Sequence, residues 1–171
     1  MTLPSRSAVP GPRRLTALVV TALIALAACA SPSAEDATLT IRDPWVKAAE
    51  SGMTAAFGTL VNDTAEAVTV VGATCPASDR MELHETVMDD SGAMTMRRVE
   101  SGFVVPAEAE RVLEPGGDHL MLLGIVDPIE PGEDLTITLD LDDGSQLTFT
   151  ASARSFSGAE ETYDDEAQSE Q

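Results

Sequence analysis

Residues 134–151 read Asp-Leu-Thr-Ile-Thr-Leu-Asp-Leu-Asp-Asp-Gly-Ser-Gln-Leu-Thr-Phe-Thr-Ala. Apolar side chains occupy every second position from Leu135 to Leu141 and again from Leu147 to Ala151. Alternation with a period of two is typical of a strand with one buried face, and Asp143-Gly144 is a favoured two-residue hairpin turn. The stretch therefore predicts an antiparallel hairpin that contributes one face to a hydrophobic core.

The same pattern of short apolar runs and turns extends over residues 38–153. Turn sequences such as Asn62-Asp63-Thr64, Pro115-Gly116-Gly117 and Pro131-Gly132 separate the runs. No stretch of a dozen residues has apolar side chains at helical spacing. We therefore predict one all-β domain over residues 38–153, with eight or nine short strands in a two-sheet sandwich.

Charge excludes one large class of function. The chain has 171 residues, of which 29 are Asp or Glu and only 10 are Lys or Arg, so its formal charge is −19. Such a chain has no basic surface to neutralise phosphates, and we expect no nucleic-acid partner. Its hydrophobic fraction of 43% is that of a folded domain.

The N-terminus has the pattern of a bacterial export signal. Residues 1–14 contain three arginines and no acid, and the apolar run that follows ends at Leu26-Ala27-Ala28-Cys29. That run is too short for a spanning helix, which needs about 20 residues. Its end resembles a lipobox, so we predict a signal peptide over 1–28 and a lipidated Cys29 followed by a flexible tether to residue 37. The alternative is an ordinary secretory signal cut near Ala28 or Ala30.

The mature chain would be strongly acidic and anchored only by its lipid. Removal of residues 1–28 leaves 29 acidic and 7 basic residues, a formal charge of −22. Electrostatic adhesion to anionic lipid is then excluded, and we predict an extracytoplasmic protein held at the cell membrane by Cys29. The C-terminal residues 154–171 are predicted to form an acidic, disordered tail. Cys75 would lack a disulfide partner, and is either a small buried hydrophobe or an accessory ligand or reactive thiol.

Histidine and methionine are concentrated in one part of the chain. Both histidines, and five of the six methionines that follow residue 28, lie between residues 81 and 121. In a strand, His119 and Met121 would point to one face while Leu120 points to the core. His84 can add a second imidazole, and Met94 and Met96 have the same two-residue spacing. Each methionine taken singly could also be ordinary core packing.

Two imidazoles and one or two thioethers form a neutral, soft set of donors that suits Cu(I). Calcium and magnesium prefer oxygen ligands, and zinc prefers thiolate or carboxylate to thioether. A blue-copper site needs a thiolate near the second histidine, and no cysteine lies near His119. No nucleophile stands beside a general base in a recognisable pattern, so we predict a protein that is not an enzyme.

These residues resemble the PCu(A)C family of periplasmic copper chaperones over about residues 38–153. The family pattern is His, ten residues, Met, twenty-one residues, His-x-Met, and each gap is one residue longer here. The further matching runs are Asp43-Pro44-Trp45-Val46-Lys47-Ala48, Met81-Glu82-Leu83-His84-Glu85, Met94-Thr95-Met96-Arg97 and the ten residues from Leu113 to Leu122.

The resemblance implies a cupredoxin-like Greek-key β-sandwich that binds one Cu(I) at an exposed site. By position, the ligands are His84, Met96, His119 and Met121, with Met94 as a possible substitute for Met96 because the first gap is longer. The implied partners are the copper-site subunit of cytochrome c oxidase, during its assembly, or a Sco-type thiol protein. We therefore expect a monomeric metallochaperone that transfers Cu(I) by ligand exchange. A copper-sequestering envelope lipoprotein and a metal-free β-sandwich interaction module remain alternatives.

Overall fold

The computed structural model describes residues 39–89, 91–158 and 162–163, which form strands and connecting loops with no helix. This confirms the all-β prediction, although the strands number eleven. The strands are β1 (Leu39–Lys47), β2 (Met53–Asn62), β3 (Val68–Thr74), β4 (Ser78–Met88), β5 (Met94–Arg98), β6 (Phe103–Val105), β7 (Ala109–Leu113), β8 (His119–Ile125), β9 (Asp134–Leu141), β10 (Gln146–Arg154) and β11 (Thr162–Tyr163).

The predicted signal peptide, the lipidated Cys29 and the tether to residue 37 lie outside the described residues. Within the residues that are described, no helix has the length and apolar character needed to cross a membrane.

One hydrogen-bonded sheet runs in the order β11-β5-β4-β8-β2-β1-β10-β9-β3-β6, and β7 also pairs with β2. Two of the strand pairs are parallel, β1 with β10 and β11 with β5. The other pairs are antiparallel. The main core holds Leu120 and Leu122 from one half of this order and Ile137 and Leu139 from the other. The sheet therefore folds over on itself, and its two halves enclose the core as a sandwich does.

The predicted hairpin is confirmed as β9 and β10. Its register places Ile137 opposite Phe149, and the four apolar side chains of β9 are buried. In the turn, Asp143 Oδ1 accepts hydrogen bonds from the backbone N–H and the hydroxyl of Ser145, at 2.8 and 2.6 Å. Gly144 has a φ of +83°, which glycine adopts without strain.

A bulge in β1 gives this strand two different buried faces. Leu39 and Val46 are both fully buried in the main core, although they are seven positions apart, a spacing that places side chains on opposite faces of a regular strand. The register against β2 shifts between Arg42 and Trp45, and Asp43 in this bulge has a φ of +51°. The extra residue reverses the alternation, so Trp45 points away from the main core. There it packs on Phe57 of β2, with 4.5 Å between ring centroids.

The loop before β6 requires a glycine for two reasons. Gly102 has a φ of +77°, and a Cβ there would lie 2.4 Å from the carbonyl oxygen of Val70.

We predict that Gly102→Ala lowers the free energy of unfolding by about 3 kcal/mol, from backbone strain and overlap together. Gly144→Ala, with similar φ and open space around it, should cost about 1 kcal/mol. Denaturant unfolding measures both, and equal losses would contradict the overlap.

Candidate metal centre

Strand β8 divides its side chains between two buried clusters. Leu120 and Leu122 belong to the main core, whereas Met121 and Leu123 belong to a second, smaller cluster on the opposite face of the strand. His119 lies on the face of Met121, as the two-residue period predicts. The second cluster also contains Ala55, Phe57 and Met96, with Trp45 packed against it.

Strand pairing brings the two predicted histidine ligands together. His84 on β4 lies directly opposite His119 on β8, and their ring centroids are 5.6 Å apart. Because a metal–nitrogen bond is about 2 Å long, one ion could contact a nitrogen of each ring. Met96 on β5 lies opposite Thr86, two residues beyond His84. The side chains of His84 and Met96 therefore project from the same face of the sheet.

A cavity of about 180 Å³ opens beside these side chains. Met96, His119 and Met121 line it, and His84, whose ring centroid is 5.6 Å from that of His119, is not among the lining residues. The described lining residues are Lys47, Met53, Thr54, Ala55, Phe57, Met96, Pro115, Gly116, His119 and Met121. Met53 and Thr54 were not singled out from the sequence, because the pairing of β2 with β8 is a long-range contact that carries no local signal.

The expectation of an exposed site is wrong for the predicted ligands. His84 is 0% exposed, His119 2%, Met121 3% and Met96 6%. The physical reason is the packing of Phe57 and Ala55, also on β2, into the cluster that contains Met96 and Met121. Met96, His119 and Met121 thus line a cavity and are not part of an outer surface, and His84 is buried next to His119.

Met94 is placed less well than Met96 for the role of ligand. It starts β5 opposite Met88, is 42% exposed, and does not line the cavity. Met96 is buried and does line it. The loop between β4 and β5 lies within the gap from His84 to Met96, and there Asp89 Oδ1 accepts hydrogen bonds from Ser91 and Ala93. The structure therefore favours Met96 over Met94.

A hydrogen bond orients each histidine ring. His84 Nε2 lies 3.0 Å from the Oε2 atom of Glu82, and His119 Nδ1 lies 3.0 Å from the carbonyl oxygen of Gly117. A carboxylate and a carbonyl both accept, so these nitrogens carry the protons. The nitrogens suited to a metal are then Nδ1 of His84 and Nε2 of His119. Such ring N–H bonds to a carboxylate or carbonyl are usual for metal-binding histidines.

Glu82 is a buried carboxylate held between charged partners. It is 6% exposed, and its Oε1 atom lies 3.2 Å from Nε of Arg80 and 3.9 Å from Nη1 of Arg98. These arginines offset the charge of Glu82, so the carboxylate can orient His84 without leaving an uncompensated buried charge.

The donors that are brought together favour a soft ion. Among residues 39–89, 91–158 and 162–163, no group of three or more His, Cys, Asp and Glu side chains could hold a metal. A centre here therefore needs the thioether sulfurs, which are poor ligands for zinc or calcium. Cys75 is buried in the main core, and burial raises the pKa of its thiol. This environment favours its interpretation as a small buried hydrophobe.

Part of the predicted tail lies against elements that carry the cavity. Phe156 packs edge-on against Trp45, with 5.4 Å between centroids, and Lys47 Nζ donates to the Gly158 carbonyl at 2.5 Å. Strand β11 pairs with Thr95 and Met96 of β5. For the residues of 154–171 outside the described ones, disorder stays a prediction.

The chain has relatives among known proteins. Residues 39–153 match a family model described as "Putative lipoprotein LpqE-like". The chain belongs to this family. It is also 41% identical to the "Putative lipoprotein Lxx21020" of Leifsonia xyli subsp. xyli (strain CTCB07), a match that covers 88% of this chain and 96% of the relative.

Solved structures with a similar fold are PCuAC domains and a related protein. The copper-bound PCuAC domain from PmoF2 is 17% identical, with a TM-score of 0.58 over 70% of this chain and 94% of its own. Apo-DR1885 from Deinococcus radiodurans is 26% identical, with a TM-score of 0.56 over 91% of this chain and 97% of its own. The CuI-DR1885 structure is 28% identical, with a TM-score of 0.54 over 73% and 85%. The resemblance to the PCu(A)C family and the predicted cupredoxin-like fold are confirmed.

In this LpqE-like chain, burial should shift the protonation of His84 to lower pH. Burial lowers the pKa of His84 below its usual 6.5, although the hydrogen bond that His84 donates to Glu82 opposes the shift. The charge of Arg98 also lowers this pKa, and the ring of His119 lies 5.6 Å from that of His84. The unfolded chain then takes up the proton first as the pH falls. We predict that stability decreases from about pH 6.5 down to the folded-state pKa.

NMR titration of the His84 ring protons measures that pKa directly. In Glu82→Gln the raising effect is lost, so the midpoint should fall further. Glu85→Gln is the matched control, because Glu85 pairs with Arg97 and lies on the other face of β4. A His84 midpoint at or above 6.5 in the parent protein would contradict the effect of burial.

Proposed function

We propose that this protein is an extracytoplasmic Cu(I)-binding metallochaperone that delivers copper for cytochrome c oxidase assembly by ligand exchange. The observation that carries the proposal is the pairing of His84 with His119 beside a cavity lined by Met96 and Met121. Hydrogen bonds at Nε2 of His84 and Nδ1 of His119 hold the two rings and leave the other ring nitrogens for the ion. The thioethers add soft, uncharged donors. A relative at 28% identity has been solved as CuI-DR1885, which supports copper as the cargo.

The chain's own residues would act by holding and releasing the ion. His84 and His119 supply imidazole nitrogens from adjacent strands, and Met96 and Met121 supply sulfurs that do not protonate. Neutral ligands leave the ion its single charge, so an incoming thiolate pair on a Sco-type protein or an oxidase subunit would compete well for it. Each new sulfur–copper bond forms before a thioether bond breaks, and copper keeps its oxidation state.

Anchoring is part of the proposal. The family and the relative from Leifsonia are both described as lipoproteins, which agrees with lipidation at Cys29. A lipid on that residue would hold the domain near membrane-bound recipients. Labelling with a clickable fatty acid tests the anchor, and the expected result is a label that a Cys29→Ala variant does not take up.

Competition with a Cu(I) chelator tests the metal site. We predict that His119→Ala combined with Met121→Ala lowers Cu(I) affinity at least about 100-fold. Loss of a residue that only hydrogen-bonds to a metal ligand already lowers metal affinity about 10–100-fold. Met88→Ala is the matched control, since Met88 is 69% exposed and lies outside the cavity. Circular dichroism checks that each variant folds. If the double variant binds Cu(I) as tightly as the parent, the proposed site is wrong. The metal-free interaction module would then be the remaining alternative.

Burial of the ligands also supports a second candidate, a copper-sequestering lipoprotein. Four side chains that are at most 6% exposed suit tight retention of the ion. Deletion of the gene distinguishes the two functions. Delivery predicts loss of oxidase activity at low copper, whereas sequestration predicts sensitivity to added copper while oxidase activity stays normal.

A further inference from the structure

We propose that Met53 is an additional thioether ligand at the mouth of the cavity, through which Cu(I) enters and leaves the buried site. The inference rests on the proposed function, because it assumes that the cavity takes Cu(I). It assigns a role to a residue that lies far from the histidine- and methionine-rich segment in sequence.

Strand register places Met53 on the same face as the predicted ligands. It is the first residue of β2 and lies opposite Leu123 of β8, while Ala55 lies opposite Met121. Residues two apart in a strand share a face. Met53 and Met121 therefore project to the same side, and both line the cavity.

Exposure separates Met53 from the other sulfurs of the cavity. Met53 is 46% exposed, whereas Met96 and Met121 are 6% and 3% exposed. A side chain that remains half in water gains little from packing, so burial does not account for a methionine here. Among the thioethers that line the cavity, that of Met53 is the most exposed. An incoming metal-binding group can therefore approach it without displacing other lining residues.

The mouth of the cavity is chemically suited to a soft monovalent ion. None of the lining residues described is Asp or Glu, so hard divalent ions find no carboxylate there. The flexible, polarisable thioether of Met53 can reach the ion in more than one rotamer. In the exchange step a copper–sulfur bond to Met53 forms as a bond to the outgoing donor breaks. No proton or electron moves, and copper remains Cu(I).

Methyl-13C methionine labelling of the intact protein tests the contact directly. On addition of one equivalent of Cu(I) without oxygen, the methyl signals of Met53, Met96 and Met121 should shift. Those of Met88 and Met94, which are exposed outside the cavity, should stay. If Met96 and Met121 shift while Met53 does not, the role of Met53 is wrong and the proposed function stands. If no methionine signal shifts, the proposed function itself fails.

Transfer kinetics supply the second measurement. Met53→Leu keeps an apolar side chain of similar volume and removes only the sulfur. We expect it to slow transfer of Cu(I) to bathocuproine disulfonate about tenfold, the low end of the effect of a supporting residue at a metal site. The equilibrium affinity should change much less than the transfer rate, because the buried ligands remain. Met88→Leu is the matched control and should transfer at the parent rate. Equal rates for Met53→Leu and Met88→Leu would overturn the proposal.

Discussion

The two-residue period of strand β8 is the constraint on which both the fold and the site depend. Leu120 and Leu122 pack in the main core, and Met121 and Leu123 project from the opposite face of the strand. A shift of one residue in register would send His119 and Met121 into the core and the leucines into the cavity. The hydrophobic effect that fixes the register therefore also fixes the position of the donors. Stability and the geometry of the candidate metal site are coupled through the same seven residues of β8.

The turn before β8 adds a second coupling between site and fold. The carbonyl oxygen of Gly117 accepts a hydrogen bond from His119 Nδ1 at 3.0 Å and one from the backbone N–H of Thr86 at 3.2 Å. One acceptor thus orients an imidazole and also ties β4 to the loop before β8. Arg111 steadies the neighbouring residue through an ion pair of 2.7 Å with Asp118. The sequence predicts only a turn here, and the structure shows that this turn also supports the candidate metal centre.

Local patterns predicted what depends on neighbours in sequence. The β9–β10 hairpin followed from alternation, and the shared face of His119 and Met121 followed from strand period. The bulge at Asp43 was not predicted, because one extra residue in a strand leaves no clear mark on composition. Burial of the ligands and the place of Met53 were missed for a different reason. Both depend on β2 packing beside β8, and a single sequence does not show which distant strands pair.

At the candidate site, metal selectivity would rest on the softness of the donors and not on charge. The chain carries a formal charge of −19, and such a surface attracts any cation, including calcium and magnesium. The carboxylate nearest the candidate ligands, Glu82, is held by Arg80 and Arg98. The cavity wall itself offers imidazole and thioether within the described residues. Hard ions would therefore remain at the outer carboxylates, and a soft ion would gain by moving inward.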